Sequence, residues 1–128
     1  MAESPIETKT IKWDEIEVEQ LSPGIGRQFL VGTNVMLARF LLKKGARIPL
    51  HSHPHEQVAY VLEGALQFVF GDKTVIARTG EVVCIPPNLP HEALALEDTI
   101  NLDIFHPPRE DWIERDDSYL RHASQPNA

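Results

Sequence analysis

The sequence predicts an all-β sandwich or barrel. Short apolar segments recur along the chain, turn-forming residues separate them every several positions, and no sustained helical period precedes residue 108. Residues 1–10 are polar and interrupted by Pro5, so they are expected to form a flexible terminus. From Ile11 to Leu21 the apolar positions Ile11, Trp13, Ile16, Val18 and Leu21 allow an edge strand or two, closed by a Ser22-Pro23-Gly24 turn. Ile25–Val31 and Asn34–Lys43 read as strands joined by the hairpin signal Gly32-Thr33. In the second of these, Met36, Ala38, Phe40 and Leu42 share one face. Arg39 stands on the other, largely apolar face, as a snorkelling edge residue or as an anion contact inside a cavity.

Further on, Gln57–Glu63 and Ala65–Phe70 are expected to pair across a tight bend at Gly64. Gly71-Asp72 turns the chain into Lys73–Ala77, and Thr79-Gly80 turns it into Glu81–Ile85. Pro86-Pro87-Asn88-Leu89-Pro90 is a rigid loop in which Asn88 is the residue best able to take a positive φ, and it delivers the chain to His91. Glu92–Leu96 and Thr99–His106 are two more strands, the last ended by Pro107-Pro108. Arg109–Ile113 and Ser118–Arg121 are expected to be short helical turns, and His122–Ala128 to be disordered. The chain therefore reads as one domain over residues 11–113 with a tail over 114–128.

Twelve Lys and Arg against 19 Asp and Glu give a net charge of −7, which repels phosphate and argues against a nucleic-acid partner. A small anion can still bind through a local cation. No apolar run approaches the length of a membrane span or a secretory signal, so no membrane partner and a cytoplasmic location are expected. The lone Cys84 falls in the run Val82-Val83-Cys84-Ile85 and is expected to be a buried structural thiol.

Half of the six histidines lie in the thirteen residues from Gly45 to Gln57. His51 and His53 are two apart, so in an extended chain both leave the same face, which suits metal ligands. A solvated loop that happens to carry imidazoles would look the same locally. His55 shares the parity of His53. On the last strand, Thr99, Asn101, Asp103 and Phe105 have one face to themselves, which is either solvated or turned into a polar cavity.

Two spacings carry a resemblance. Gly45, five residues, His51, one, His53, three, Gln57, six, Gly64 resembles the first motif of the cupin superfamily, with Gln57 at the usual glutamate position. Gly80, five residues, Pro86, then His91 resembles the second, with Asn88 in place of its glycine and Ala95 in place of its asparagine. The resemblance implies the RmlC-like fold, a double-stranded β-helix or jelly-roll barrel, here with short C-terminal helical turns. Within that superfamily the runs His51–Gln57 and Asp103–Asp111 are similar to the small KdgF-type proteins of pectin and alginate breakdown. This implies a divalent metal on His51, His53, Gln57 and His91, and reaction on a 4,5-unsaturated uronate with Asp103 and Phe105 beside the metal.

Three imidazoles and an amide oxygen suit a borderline divalent ion, Ni, Mn, Fe, Co or Zn, better than a hard all-oxygen ion. Gln57 in place of a carboxylate leaves more positive charge on the ion. The first expectation is an enzyme that opens a cyclic unsaturated sugar acid and tautomerises it to a linear keto form. In it Asp103 moves the proton, Phe105 positions the ring, and Arg39 or Arg109 pairs with the substrate carboxylate. Arg109 reads equally well as a structural tether. An Fe(II)-type dioxygenase is the second expectation, and a non-catalytic metal- or sugar-binding protein the third. A homodimer is expected, with residues 11–21 able to supply an exchanged edge strand.

Overall fold

The computed structural model describes residues 8–114 and 117–121, so the expectations for residues 1–7 and for His122–Ala128 lie outside the described residues. Ten strands run in chain order: β1 (Glu19–Ser22), β2 (Ile25–Val31), β3 (Met36–Leu42), β4 (Arg47–His51), β5 (Glu56–Glu63), β6 (Ala65–Phe70), β7 (Lys73–Arg78), β8 (Val82–Ile85), β9 (His91–Ala95) and β10 (Thr99–His106). Two one-turn helices follow, α1 (Glu110–Ile113) and α2 (Ser118–Arg121). The strands form a six-stranded sheet in the order β1-β2-β3-β10-β5-β8 and a four-stranded sheet in the order β4-β9-β6-β7.

Period-two alternation decides what faces the interior. In β3 the buried set is Met36, Ala38, Phe40 and Leu42, and in β9 it is His91, Ala93 and Ala95. In β10 the buried set is Thr99, Asn101, Asp103 and Phe105, so the polar face of that strand turns inward to line a cavity. β10 lies between β3 and β5, which sets Asp103 opposite the small residues Ala38 and Ala59, and Phe105 opposite Met36 and Gln57. In the other sheet, the β4–β9 pairing brings His51 level with His91.

Four expectations are corrected. Gln57–Glu63 and Ala65–Phe70 do not pair with each other, because β5 and β6 belong to different sheets and Gly64 is the corner between them. A side chain there would collide with the Asp98 carbonyl and stand 2.5 Å from Thr99 Oγ1, and φ is +107°. Thr99 ties the corner down, its hydroxyl accepting from Ala65 N at 3.2 Å.

Residues 11–18 hold a 3-10 turn at Trp13–Glu15 in place of a strand, and only Glu19–Ser22 pairs, with β2 of the same chain. The Gln28 amide supplies the partners a ladder would have given, donating to the Trp13 and Ile16 carbonyls at 2.8 and 2.7 Å. Arg39 lies on the outer face under this turn, donating to Gln28 Oε1 at 2.8 Å, with the Trp13 ring 5.9 Å away. It is therefore outside the cavity. Cys84 is exposed, because β8 is an edge strand and only Ile85 of its run is fully buried.

Candidate metal centre

Three elements converge on one point. β4 ends at His51, the loop before β5 carries His53, and the proline loop after β8 leads to His91. Asn88 in that loop takes φ 67°, as its short polar side chain permits, and its N–H donates to the His53 carbonyl at 2.7 Å. The two histidine segments are thus tied to each other through the backbone. Among the described residues, His51, His53 and His91 form a cluster whose ligand atoms all lie within 4.8 Å of one another.

Hydrogen bonding settles which nitrogen each ring presents. Nδ1 of His51 donates to the Pro49 carbonyl at 2.7 Å, that of His91 to Leu89 at 2.8 Å, and that of His53 to His55 at 3.1 Å. A carbonyl only accepts, so each Nδ1 carries the proton and each Nε2 keeps a lone pair. Burial pushes the His51 ring down to about 4 and the His53 ring to about 3, helped by the neighbouring charge of Arg109, and burial lowers His91 as well. All three are neutral donors at neutral pH.

Gln57 is the candidate for a fourth donor. Its amide nitrogen donates to Asp103 Oδ1 at 2.9 Å, which leaves its oxygen 3.2 Å from His53 Nε2. Two lone pairs therefore face each other there, and His91 Nε2 is buried with no partner at all. A cation between these atoms satisfies every one of them. The donor set, three imidazole nitrogens and an amide oxygen, fits a divalent transition ion.

Asp103 is buried and accepts a second hydrogen bond, from Asn101 Nδ2 at 2.9 Å. Burial raises its carboxyl to about 6, against the downward pull of the Gln57 and Asn101 hydrogen bonds. Asn101, read from the sequence only as a neighbour of Asp103 on the same strand face, also has a buried Oδ1 without a partner. Its period-two spacing to Asp103 was the available signal. Phe105 is buried edge-on to His53, 5.7 Å between ring centroids.

Arg109 lines the cavity, but its guanidinium is held by Asp111 through two bonds of 2.9 and 2.7 Å and donates to the Tyr119 hydroxyl at 3.0 Å. It also lies over the Trp112 ring at 4.3 Å, an arrangement that makes it a tether for the C-terminal helices. His55 is buried beside His53 and offers it a backbone carbonyl. His106 bonds to the Asn34 carbonyl at 2.7 Å, away from the cluster. Trp112 and Tyr119, also missed in the sequence, line the cavity together with Leu120, and its volume is about 30 Å³.

A cupin domain family model matches residues 38–105. The pectin degradation protein KdgF of Dickeya dadantii (strain 3937) is 31% identical over 103 residues, covering 78% of this chain and 94% of that protein. KdgF from Halomonas sp. matches in structure with a TM-score of 0.72 at 29% identity, covering 77% of this chain and 94% of its own. An RmlC-like cupin from Shewanella frigidimarina matches with a TM-score of 0.76 at 29% identity, covering 83% and 96%.

Proposed function

The chain belongs to the cupin domain family, with the jelly-roll fold of its RmlC-like members, and we propose that it is a metal-dependent cupin of uronate metabolism. The reaction proposed is the opening of a 4,5-unsaturated uronate, or a related sugar acid, and its tautomerisation to a linear keto form. Likeness to a pectin degradation protein over most of both chains supports the substrate class. The observation that carries the chemistry is the Gln57 amide, which joins a buried carboxyl to the histidine cluster.

His51, His53, Gln57 and His91 would hold the ion. Bound there, a divalent ion supplies Lewis acidity toward the sugar oxygens. The proton work falls to this chain's own residues. The anomeric hydroxyl loses a proton, the ring C–O bond breaks with its electron pair going to the ring oxygen, and the enol so formed becomes a ketone when its neighbouring carbon gains a proton. One proton leaves and one arrives, so a single carboxyl can serve both steps. Asp103 is suited to this, because a carboxyl near 6 both takes and gives a proton at neutral pH. Phe105 forms an apolar wall that keeps water from the enol, and Arg109 places positive charge on the cavity wall.

A dioxygenase would use the same histidines but would need oxygen, so an anaerobic assay separates the two readings. A purely binding protein has no use for a proton carrier, and the inward placement of Asp103 favours the enzyme over it. The test is turnover of unsaturated galacturonate by Asp103→Ala. Loss of turnover with the metal retained supports the reading, and unchanged turnover rejects it.

A further inference from the structure

We propose that α2 is a displaceable strap over the candidate metal centre, with Tyr119 as its stopper and the Arg27–Asp117 ion pair as its latch, so that strap opening decides what reaches the histidines.

The cavity volume of about 30 Å³ has room for about two or three waters, far less than a six-carbon sugar acid. What narrows it comes from the C-terminal segment. The Tyr119 ring stands 5.0 Å from the His51 ring, and its hydroxyl accepts from Arg109 at 3.0 Å and from Trp112 at 3.3 Å. Leu120 is buried beside it in the core. This segment lies beyond residues 38–105, the part that matches the cupin family model.

The strap is built to come away as a unit. α2 spans four residues, too few to hold a helix by itself, and its backbone bonds run locally from Leu120 and Arg121 to the Asp117 carbonyl. Its anchor is a side-chain pair 90 residues apart in sequence: Arg27 Nη2 donates to Asp117 Oδ2 at 2.8 Å, both side chains fully buried. Arg121 reinforces Asp117 at 2.9 Å. The latch is not fully satisfied, because Arg27 Nη1 is buried without a partner. Opening would hydrate that donor and both charges, offsetting part of the loss of Leu120 burial. A closed state poised in this way can yield to a ligand that binds the open one.

The strap itself follows from geometry; that a uronate is what displaces it rests on the function proposed above. Both parts are tested with wild type, Asp117→Asn and Tyr119→Ala, each loaded with Co(II). The rate at which 2,6-pyridinedicarboxylate extracts the ion is followed by visible absorbance. In wild type this rate should level off with chelator concentration, because opening limits it, and both variants should be faster by about tenfold or more. Equal rates in all three proteins, rising linearly with chelator, would overturn the strap.

Acrylamide quenching of Trp112 in metal-free protein, with Trp13→Phe in every background, reads opening without any metal. Greater quenching in Asp117→Asn supports the strap, and identical quenching contradicts it. Melting temperatures are measured alongside; should Asp117→Asn unfold, Tyr119→Ala, whose latch is intact, decides. Unsaturated galacturonate is supplied to the same three proteins. Faster extraction with no sugar consumed by any of them leaves the strap standing and removes the uronate reading. Consumption with equal extraction rates does the reverse.

Discussion

Gln57 donates its amide hydrogen to Asp103 Oδ1 at 2.9 Å, and the same side chain holds its oxygen 3.2 Å from His53 Nε2. A glutamate at this position could make only half of that arrangement. In Gln57→Glu two carboxylates would share the site and one would be forced to keep a proton. The expected outcome is that elemental analysis finds the metal retained while turnover of unsaturated galacturonate falls by about tenfold or more. Undiminished turnover would show that the amide's donor side is not needed.

Removing the proposed proton carrier alone should be more severe. Asp103→Asn keeps the size of the side chain and removes its ability to take a proton. Turnover should drop by about 10²–10⁴ with metal content unchanged. His91→Ala should instead lose the metal, because it deletes a donor whose Nε2 has no other partner.

The metal-free protein should lose stability in mild acid. Burial holds His51 at about 4 and His53 at about 3, so the folded state resists protonation that the unfolded chain accepts from about 6.5 downward. The stability these rings contribute is present above pH 6.5 and is lost as pH falls toward their folded values. Asp103 acts in the opposite sense, since the folded state takes a proton there near 6 while the unfolded chain waits until 3.8. Two rings against one carboxyl leave a net loss, and the lowered His55 and His91 add to it. Each net proton costs about 1.4 kcal/mol per pH unit. Thermal melts at pH 8, 6 and 5 check this, and a melting temperature that rises on acidification would contradict it.

Gly64→Ala tests the corner between the sheets. At φ +107° with the Asp98 carbonyl and Thr99 against the new methyl group, a loss of about 2 kcal/mol or more is expected. Denaturant unfolding reads this directly. A change under half that size would mean the corner relaxes freely.

The parts of the architecture that were legible from the sequence are those written in local chemistry. The proline loop announced the arrival of His91, and Asn88 takes the positive φ that its side chain suggested. Alternation grouped Met36, Ala38, Phe40 and Leu42 on one face of β3 and Thr99, Asn101, Asp103 and Phe105 on one face of β10, and the fold decided that both groups turn inward. What could not be read depends on which sheet a strand joins. A glycine bend such as Gly64 looks the same whether it closes a hairpin or passes the chain between sheets, and the apolar run around Cys84 does not reveal that β8 is an edge. Arg39 was ambiguous because both faces of β3 are apolar. The contact between Arg27 and Asp117 has no local signature, so the placement of Tyr119 against the cavity was invisible before the fold was known.

The central claim is that the cluster of His51, His53, Gln57 and His91 serves the opening of an unsaturated sugar acid. The most direct measurement is the ultraviolet absorbance of 4,5-unsaturated galacturonate mixed with metal-loaded protein under anaerobic conditions. The absorbance of the conjugated alkene should decay with wild type and persist with His91→Ala. An absorbance that stays constant with fully metal-loaded wild type, or that decays only when oxygen is admitted, would contradict the claim.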